Sequence, residues 1–313
     1  MRYAFLGSPP FAVPVLEALL ASGHDALGLV TRPDRPRGRG RSVQASPLVE
    51  LARAHDLPVL QPETTRDEGF VASLRELAPD VLLVASYGEI LRSEVLELAP
   101  HGALNVHGSL LPRWRGAAPI QAAVAAGDAE TGVSIQRMVL ALDEGDVLLE
   151  RRTPIEPADT GGALFERLAR LGGEASVEAL DRLDRGQAEY TAQDAALATY
   201  APKLQKSDGH LDWSRPALEL ERLVRAMHPW PGARAGSPEG KPLVVESSAV
   251  TAGSGAPGVL VEAGSRCVVA CGEGALELLR VKPAGKKAMA AADWLRGARL
   301  EVGAQLLGGS EAR

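Results

Sequence analysis

The chain has 313 residues, of which 45% are apolar and 24% charged, and a formal net charge of −6, an ordinary globular composition long enough for two domains. Its two cysteines, Cys267 and Cys271, sit close together in one late segment, which excludes a disulfide framework and a four-cysteine zinc set and points to a reducing, cytoplasmic compartment. No apolar run approaches the length of a membrane span, and the first residues, "MRYAFLGSPPF", read as a strand and not as a signal peptide.

The first half alternates short apolar runs with helical patterns. "YAFLG" predicts a strand ending at Gly7, and "PPFAVPVLEALLASG" a helix with Val13, Leu16, Leu19 and Leu20 at helical spacing. "DALGLVT" is a second strand. "SPLVELARAHD" is a helix with Ser46 as N-cap and Pro47 in its first turn. "DVLLVAS" is apolar throughout, as a strand covered on both faces is. "GALNVHG" follows, then the helix "APIQAAVAAG". Strands "GVSIQRMV" and "DVLLERRTPIE" flank the loop "LALDEGD", and a long helix, "TGGALFERLARLGGEASVEALDRL", closes the half. This order predicts an α/β fold with a doubly wound, mostly parallel sheet whose ligands sit beyond the carboxyl ends of the strands.

A polar stretch, residues 190–208, reads as a linker. Beyond it a helix, "PALELERLVRAMH", leads through the turn "PWPGARAG" into short β-like runs, which suggest a small barrel or sandwich. From Gly209 on there are 13 Lys/Arg and 11 Asp/Glu, a net of +2 that leaves −8 on the rest. Within that acidic part lies "RPDRPRGRGR", Arg32–Arg41, with five arginines and one aspartate. Such a loop is either a phosphate contact or a solvated surface segment.

"GSPPF" after the first strand lacks the G-x-G-x-x-G fingerprint, and its prolines remove backbone donors that a pyrophosphate would use, which disfavours a nicotinamide or flavin enzyme. There is no P-loop, and the six histidines form no H-x-x-x-H pair, so a zinc site has little support. What remains is Asn105 and His107, two apart and therefore on one face of a strand, with Asp143 in a glycine-containing loop. An amide can donate to an oxyanion, an imidazole can move protons near neutral pH, and a carboxylate can orient that imidazole. The same residues also read as a buried histidine beside a tight turn, with Glu144 and Asp146 competing for the acidic role.

"NVHGSLLPRWRG", Asn105–Gly116, is very similar to the Asn-x-His…Ser-Leu-Leu-Pro-x-x-Arg-Gly signature of the folate-dependent formyltransferases, and "ALDEGDV" resembles their second signature, the loop bearing a catalytic aspartate. "GSPPFAVPVLEALLASGH", "RPDRPRGRGR", "TYAPKLQKSDGHLDW" and "RAMHPWPGA" resemble segments of the branch that formylates methionyl-tRNA, so the likeness runs along nearly the whole chain. The resemblance implies a Rossmann-like catalytic domain over 1–189, the linker 190–208 and an OB-like β-barrel over 209–313 that binds tRNA. It implies transfer of a formyl group from 10-formyltetrahydrofolate to the α-amino group of methionyl initiator tRNA, for translation initiation, with no metal needed. Asn105, His107 and Asp143 then match the catalytic set. Tyr87, Gly88, Glu89, Ile90, Leu91, Ser109, Leu110, Leu111, Pro112, Leu140 and Leu142 would line the donor pocket. Arg35, Arg37, Arg39, Arg41, Lys203 and Lys206 would contact tRNA.

Ser8, Pro10, Ala141, Glu144 and His228 depart from the family's commoner residues. A monomer is expected, since no zipper or apolar stripe is left over. Two other readings are formyl transfer to a small amine, which the basic loop and barrel disfavour, and a noncatalytic RNA-binding protein, which would have no use for the three polar residues together.

Overall fold

The computed structural model describes residues 1–37 and 42–310. The described residues divide into two compact units. The first comprises 1–119, 130–154 and 165–201; the second comprises 120–129, 155–164 and 202 onward. Two stretches inside 1–189 therefore group with the second unit. The segment 190–208, read as a linker, is shared between the units at residue 201.

In the first unit seven strands form one sheet: β1 (Arg2–Gly7), β2 (Asp25–Val30), β3 (Val59–Leu60), β4 (Val81–Ala85), β5 (Ala103–His107), β6 (Glu130–Arg137) and β7 (Val147–Pro154). Their order is β7-β6-β5-β4-β1-β2-β3. The block from β3 to β5 is parallel, and β6 and β7 add antiparallel at one edge. This is the expected Rossmann-like arrangement. In β4 all five side chains are buried, and Leu82 and Leu83 are wholly inaccessible. Each such leucine contributes about 2 kcal/mol of transfer free energy. Strand order reverses between β1 and β4, so the loops after them flank the crevice where such sheets bind ligands.

The longer helices of the first half are α1 (Ala12–Leu20), α2 (Pro47–Ala54), α3 (Glu68–Glu76), α4 (Pro119–Ala126) and α5 (Gly161–Asp184), and a single short turn of helix spans Ser93–Leu96. Helix α3 was not foreseen: its buried apolar side chains are only Phe70 and Leu74, too sparse a stripe to stand out. The start of α2 is as read. Ser46 is extended and its Oγ accepts the Val49 N–H at 3.4 Å, with Pro47 next. The Ser46 N–H itself donates to Asp34 at 3.1 Å. Ser46→Ala is expected to cost about 1 kcal/mol in urea unfolding. An unchanged midpoint would mean that the Asp34 bond alone fixes the helix start.

The second unit contains α6 (Ala217–Met227), strands β8 (Ala233–Gly236), β9 (Pro242–Thr251), β10 (Leu260–Ala263), β11 (Cys267–Ala270), β12 (Ala275–Pro283) and β13 (Met289–Ala290), and α7 (Ala291–Ala298). The strands run antiparallel in the order β8-β9-β12-β11-β10, with β13 on β12. The tail closes this sheet. Gly303 and Ala304 bond to Leu260 on one edge, and Leu307 exchanges two bonds with Gly236 on the other. That closure makes the sheet the predicted small barrel and protects both edge strands. Trp213 and Trp294 are buried in this unit, whereas Trp230 is exposed. Among the described residues no helix is long and apolar enough to cross a membrane.

Candidate active site

Strands β5 and β6 place two polar pairs side by side. Asn105 is opposite Gln136 and His107 opposite Ser134, so all four lie on one face of the sheet. Gln136, Ser134 and His107 are buried, and Asn105 is half-buried. The "SIQ" of β6 thus answers the "NVH" of β5, with polar residues two apart in each. That paired spacing was a usable sequence signal for Ser134 and Gln136, which the sequence reading missed.

The turn after His107 is fixed from inside. Ser109 donates its hydroxyl to the Arg113 carbonyl at 2.6 Å. Ser134 donates to the Ser109 carbonyl at 2.7 Å and accepts the Leu111 N–H at 3.0 Å. This folds the chain back so that the Trp114 carbonyl lies 2.9 Å from His107 Nε2. A carbonyl only accepts, so Nε2 is the protonated nitrogen of the ring. The other nitrogen, Nδ1, faces Asp143 Oδ1 at 3.7 Å, an ion-pair distance and not a hydrogen bond.

Asp143 reaches this site from the loop between β6 and β7, in the left-handed backbone region (φ 54°), which an aspartate tolerates better than most residues. Its carboxylate is held by three donors. The Gly116 N–H gives to Oδ2 at 2.8 Å, Gln136 Nε2 to Oδ1 at 2.8 Å, and Asn105 Nδ2 to Oδ1 at 3.4 Å. The side chain is 10% exposed. This anchored charge, an imidazole edge and a second Asn105 N–H without a protein partner among the described residues converge on one spot. Together they suit acyl transfer to an amine, where an oxyanion must be stabilised and a proton moved.

Glu144, one of the departures noted above, pairs with the buried Arg115 guanidinium at 3.1 Å. Arg115 Nε donates at 3.1 Å to Gln193 Oε1. Gln193 Nε2 in turn donates to the carbonyls of Asp143 and Gly145 at 2.8 and 2.7 Å. Around it, residues 190–201 form a strap. Thr191 exchanges two backbone bonds with Val147, Tyr200 and Ala201 pair in parallel with Arg115 and Gly116, and Thr199 Oγ1 accepts the Trp114 N–H at 2.8 Å. The strap thus joins both signature segments. It read as a linker because its bonds are made by backbone and amide groups, which leave no apolar periodicity.

The residues assigned to the donor pocket fall into two kinds. Tyr87, Leu91, Ser109 and Leu111 are buried, and burial pushes the Tyr87 phenol up to about 12. Gly88 has a positive φ of 81°, and Glu89 accepts the Thr65 N–H at 3.3 Å. Leu110 and Pro112 are half-buried. Ile90, Leu140 and Leu142, in contrast, are 84%, 70% and 65% exposed, on the loops after β4 and β6. Such uncovered apolar side chains fit a flat heterocycle better than they fit water. A cavity of about 410 Å³ is lined by Leu96, His101, Arg137, Met138 and Leu140 among others, and of the assigned residues only Leu140 lines it.

Of the assigned tRNA contacts, Lys203 and Lys206 are exposed and Arg35 pairs with Glu63 at 3.1 Å on the surface. Arg39 and Arg41 lie outside the described residues, as does the Arg37 side chain. Among the described residues no group of three or more His, Cys, Asp or Glu could hold a metal ion. Burial pushes the Cys267 and Cys271 thiols up to about 12 and 11, which leaves neither as a nucleophile at neutral pH.

Residues 1–180 match the formyl transferase family and residues 203–299 the formyl transferase C-terminal domain. The methionyl-tRNA formyltransferase of Marinobacter nauticus is 47% identical over 301 residues, 96% of this chain and 97% of the relative. That of Pseudomonas fluorescens is 50% identical over 290 residues, covering 92% and 91%. Among solved structures, HypX from Aquifex aeolicus in complex with tetrahydrofolic acid superimposes with a TM-score of 0.64 at 18% identity, over 94% of this chain and 47% of that one. The N-formyltransferase of Helicobacter canadensis, in complex with folinic acid and dTDP-3-aminofucose, gives 0.66 at 15%, over 89% and 98%. At these identities the structural likeness establishes the fold alone.

Proposed function

The chain belongs to the methionyl-tRNA formyltransferases, enzymes of folate-dependent formyl transfer that act in translation initiation, and from that membership we propose how its site works. The donor is 10-formyltetrahydrofolate, whose chemistry is an N-formyl group open to attack by an amine. The acceptor is the α-amino group of methionyl initiator tRNA, attacking as the free base. A new C–N bond forms to the formyl carbon, the bond from that carbon to the folate nitrogen breaks, and the amine's proton ends on the leaving nitrogen.

Asn105 donates its unpartnered N–H to the carbonyl oxygen, where negative charge develops. His107 presents its Nδ1 edge, the one not held by a hydrogen bond, to the same region. Asp143 is too far from Nδ1 to act by a direct hydrogen bond, so its part is electrostatic: a fixed negative charge facing the ring edge across which the proton moves. The three donors on its carboxylate keep that charge in place without reorganisation during the reaction. Ile90, Leu140 and Leu142 cover the pterin of the donor. Arg35, Arg37, Arg39, Arg41, Lys203 and Lys206 contact tRNA phosphates, and the second unit adds backbone contacts without base readout. The enzyme acts as a cytoplasmic monomer.

The observation carrying this reading is the meeting of Asn105, His107 and Asp143, which lie in two distant signatures, about one carboxylate. Its test is formyl transfer from 10-formyltetrahydrofolate to methionyl initiator tRNA, run beside glycinamide ribonucleotide. The tRNA alone is expected to be formylated. Formylation of the small amine alone would overturn the acceptor, and transfer to neither would overturn the enzyme reading.

A further inference from the structure

We propose that Gln193, in the strap over 190–201, is a positioning residue for the reaction, setting where the Asp143 carboxylate stands. The inference rests on the reading of Asp143 as catalytic. Among the described residues Gln193 has no hydrogen bond to Asn105 or His107. Its amide nitrogen instead holds two carbonyls of the catalytic loop, Asp143 at 2.8 Å and Gly145 at 2.7 Å, with a longer contact to Gln136 Oε1 at 3.4 Å. Its amide oxygen takes the Arg115 Nε proton at 3.1 Å, and Arg115 continues to Glu144 of the same loop. One side chain thus ties three successive residues of the loop, directly or through Arg115, to the segment whose Gly116 N–H binds the Asp143 carboxylate.

Only an amide fits this post. The two loop carbonyls need donors and Arg115 Nε needs an acceptor, and glutamine offers both on one rigid plane. The loop itself supplies little packing to replace them: Ala141, Leu142, Glu144 and Asp146 are exposed, and Asp143 stands at a positive φ that an untied loop would relax. Without the amide the carboxylate shifts relative to Asn105 and the His107 ring, whose distances to it are already at the outer limit of contact. A displacement near 1 Å at a reacting centre is worth about 100-fold in rate.

The test is a set of variants in the full chain: Gln193→Ala, Gln193→Glu, Asp143→Asn and the double variant Gln193→Ala/Asp143→Asn. Each is assayed for kcat and for KM toward methionyl-tRNA, with thermal unfolding to confirm the fold. Gln193→Ala is expected to lower kcat by about 30- to 100-fold with KM for the tRNA changed less than about threefold. Gln193→Glu keeps the acceptor for Arg115, and so the strap, but turns an oxygen toward the loop carbonyls. It is expected to be equally slow at neutral pH and to regain activity relative to wild type on acidification, as the protonated acid becomes a donor. In the Asp143→Asn background Gln193→Ala is expected to add no further loss, since its effect passes through the carboxylate.

A kcat for Gln193→Ala within about threefold of wild type, beside a slow Asp143→Asn, overturns the proposal and leaves the catalytic reading intact. Additive losses in the double variant also overturn it, because Gln193 would then act by another route. Wild-type activity in Asp143→Asn overturns the catalytic reading itself. Should Gln193→Ala fail to fold, the pH response of Gln193→Glu decides: a loss that does not lessen on acidification counts against the proposal.

Discussion

Asp143→Asn is expected to lower kcat by about 1,000-fold or more while leaving KM for methionyl-tRNA within a few-fold of wild type. The substitution is nearly isosteric, so the loop keeps its volume. It changes the site in two ways. The negative charge 3.7 Å from the His107 ring vanishes, and with it the electrostatic attraction on positive charge that develops there as the proton moves. The hydrogen-bond set is also broken. Gly116 N–H, Gln136 Nε2 and Asn105 Nδ2 all donate to the carboxylate, and an asparagine would turn its own NH₂ toward at least one of them. A buried donor without a partner costs about 1–3 kcal/mol, so a modest fall in melting temperature accompanies the loss of rate. Single-turnover formylation separates the two, because it reads chemistry in the folded fraction. A single-turnover rate within threefold of wild type would remove Asp143 from the catalytic set.

The division between what the sequence told and what it hid runs along a physical line. Asn105 and His107 were legible because strand periodicity puts residues two apart on one face, whatever the rest of the fold does. Ser46, with Pro47 behind it, was legible because a helix cap is a local bargain between a side chain and the next turn. Helix α5 announced itself by a long apolar stripe. Gln193 was hidden because its partners are two backbone carbonyls and an arginine from distant segments, and nothing local marks a glutamine for that role. The strap around it was hidden for the same reason. Glu144 looked like an anomaly in the loop, and the structure gives it a plain reason in Arg115, buried at 4% exposure and in need of a counter-charge. The aromatic residues of the second unit show the limits of composition in another way. Trp213 and Trp294 are core, while Trp230 stands out in solvent, and composition alone does not tell the three apart.

Gly116→Ala is the second change expected to have a large effect, and it tests fold and site at once. Gly116 adopts a φ of 107°, in the left-handed region that a side chain avoids. It pairs with Ala201 of the strap so closely that a Cβ would lie 2.6 Å from the Ala201 carbonyl oxygen. Its N–H is one of the three donors on Asp143. An alanine must therefore either push the strap away or rotate the peptide, and either motion takes the N–H off the carboxylate. The expected cost is about 2–4 kcal/mol in stability, from combined backbone strain and steric overlap, together with a fall in kcat of about 100-fold. The control is Gly186→Ala. Gly186 also has a positive φ, 66°, but a Cβ there meets nothing within 4 Å. That variant is expected to lose only about 1 kcal/mol, the backbone cost alone, and to keep its rate. If Gly116→Ala behaves like Gly186→Ala in both urea unfolding and single-turnover formylation, the contact between strap and signature does not govern the position of Asp143. If it loses rate out of proportion to stability, that contact is part of what holds the carboxylate in its working place.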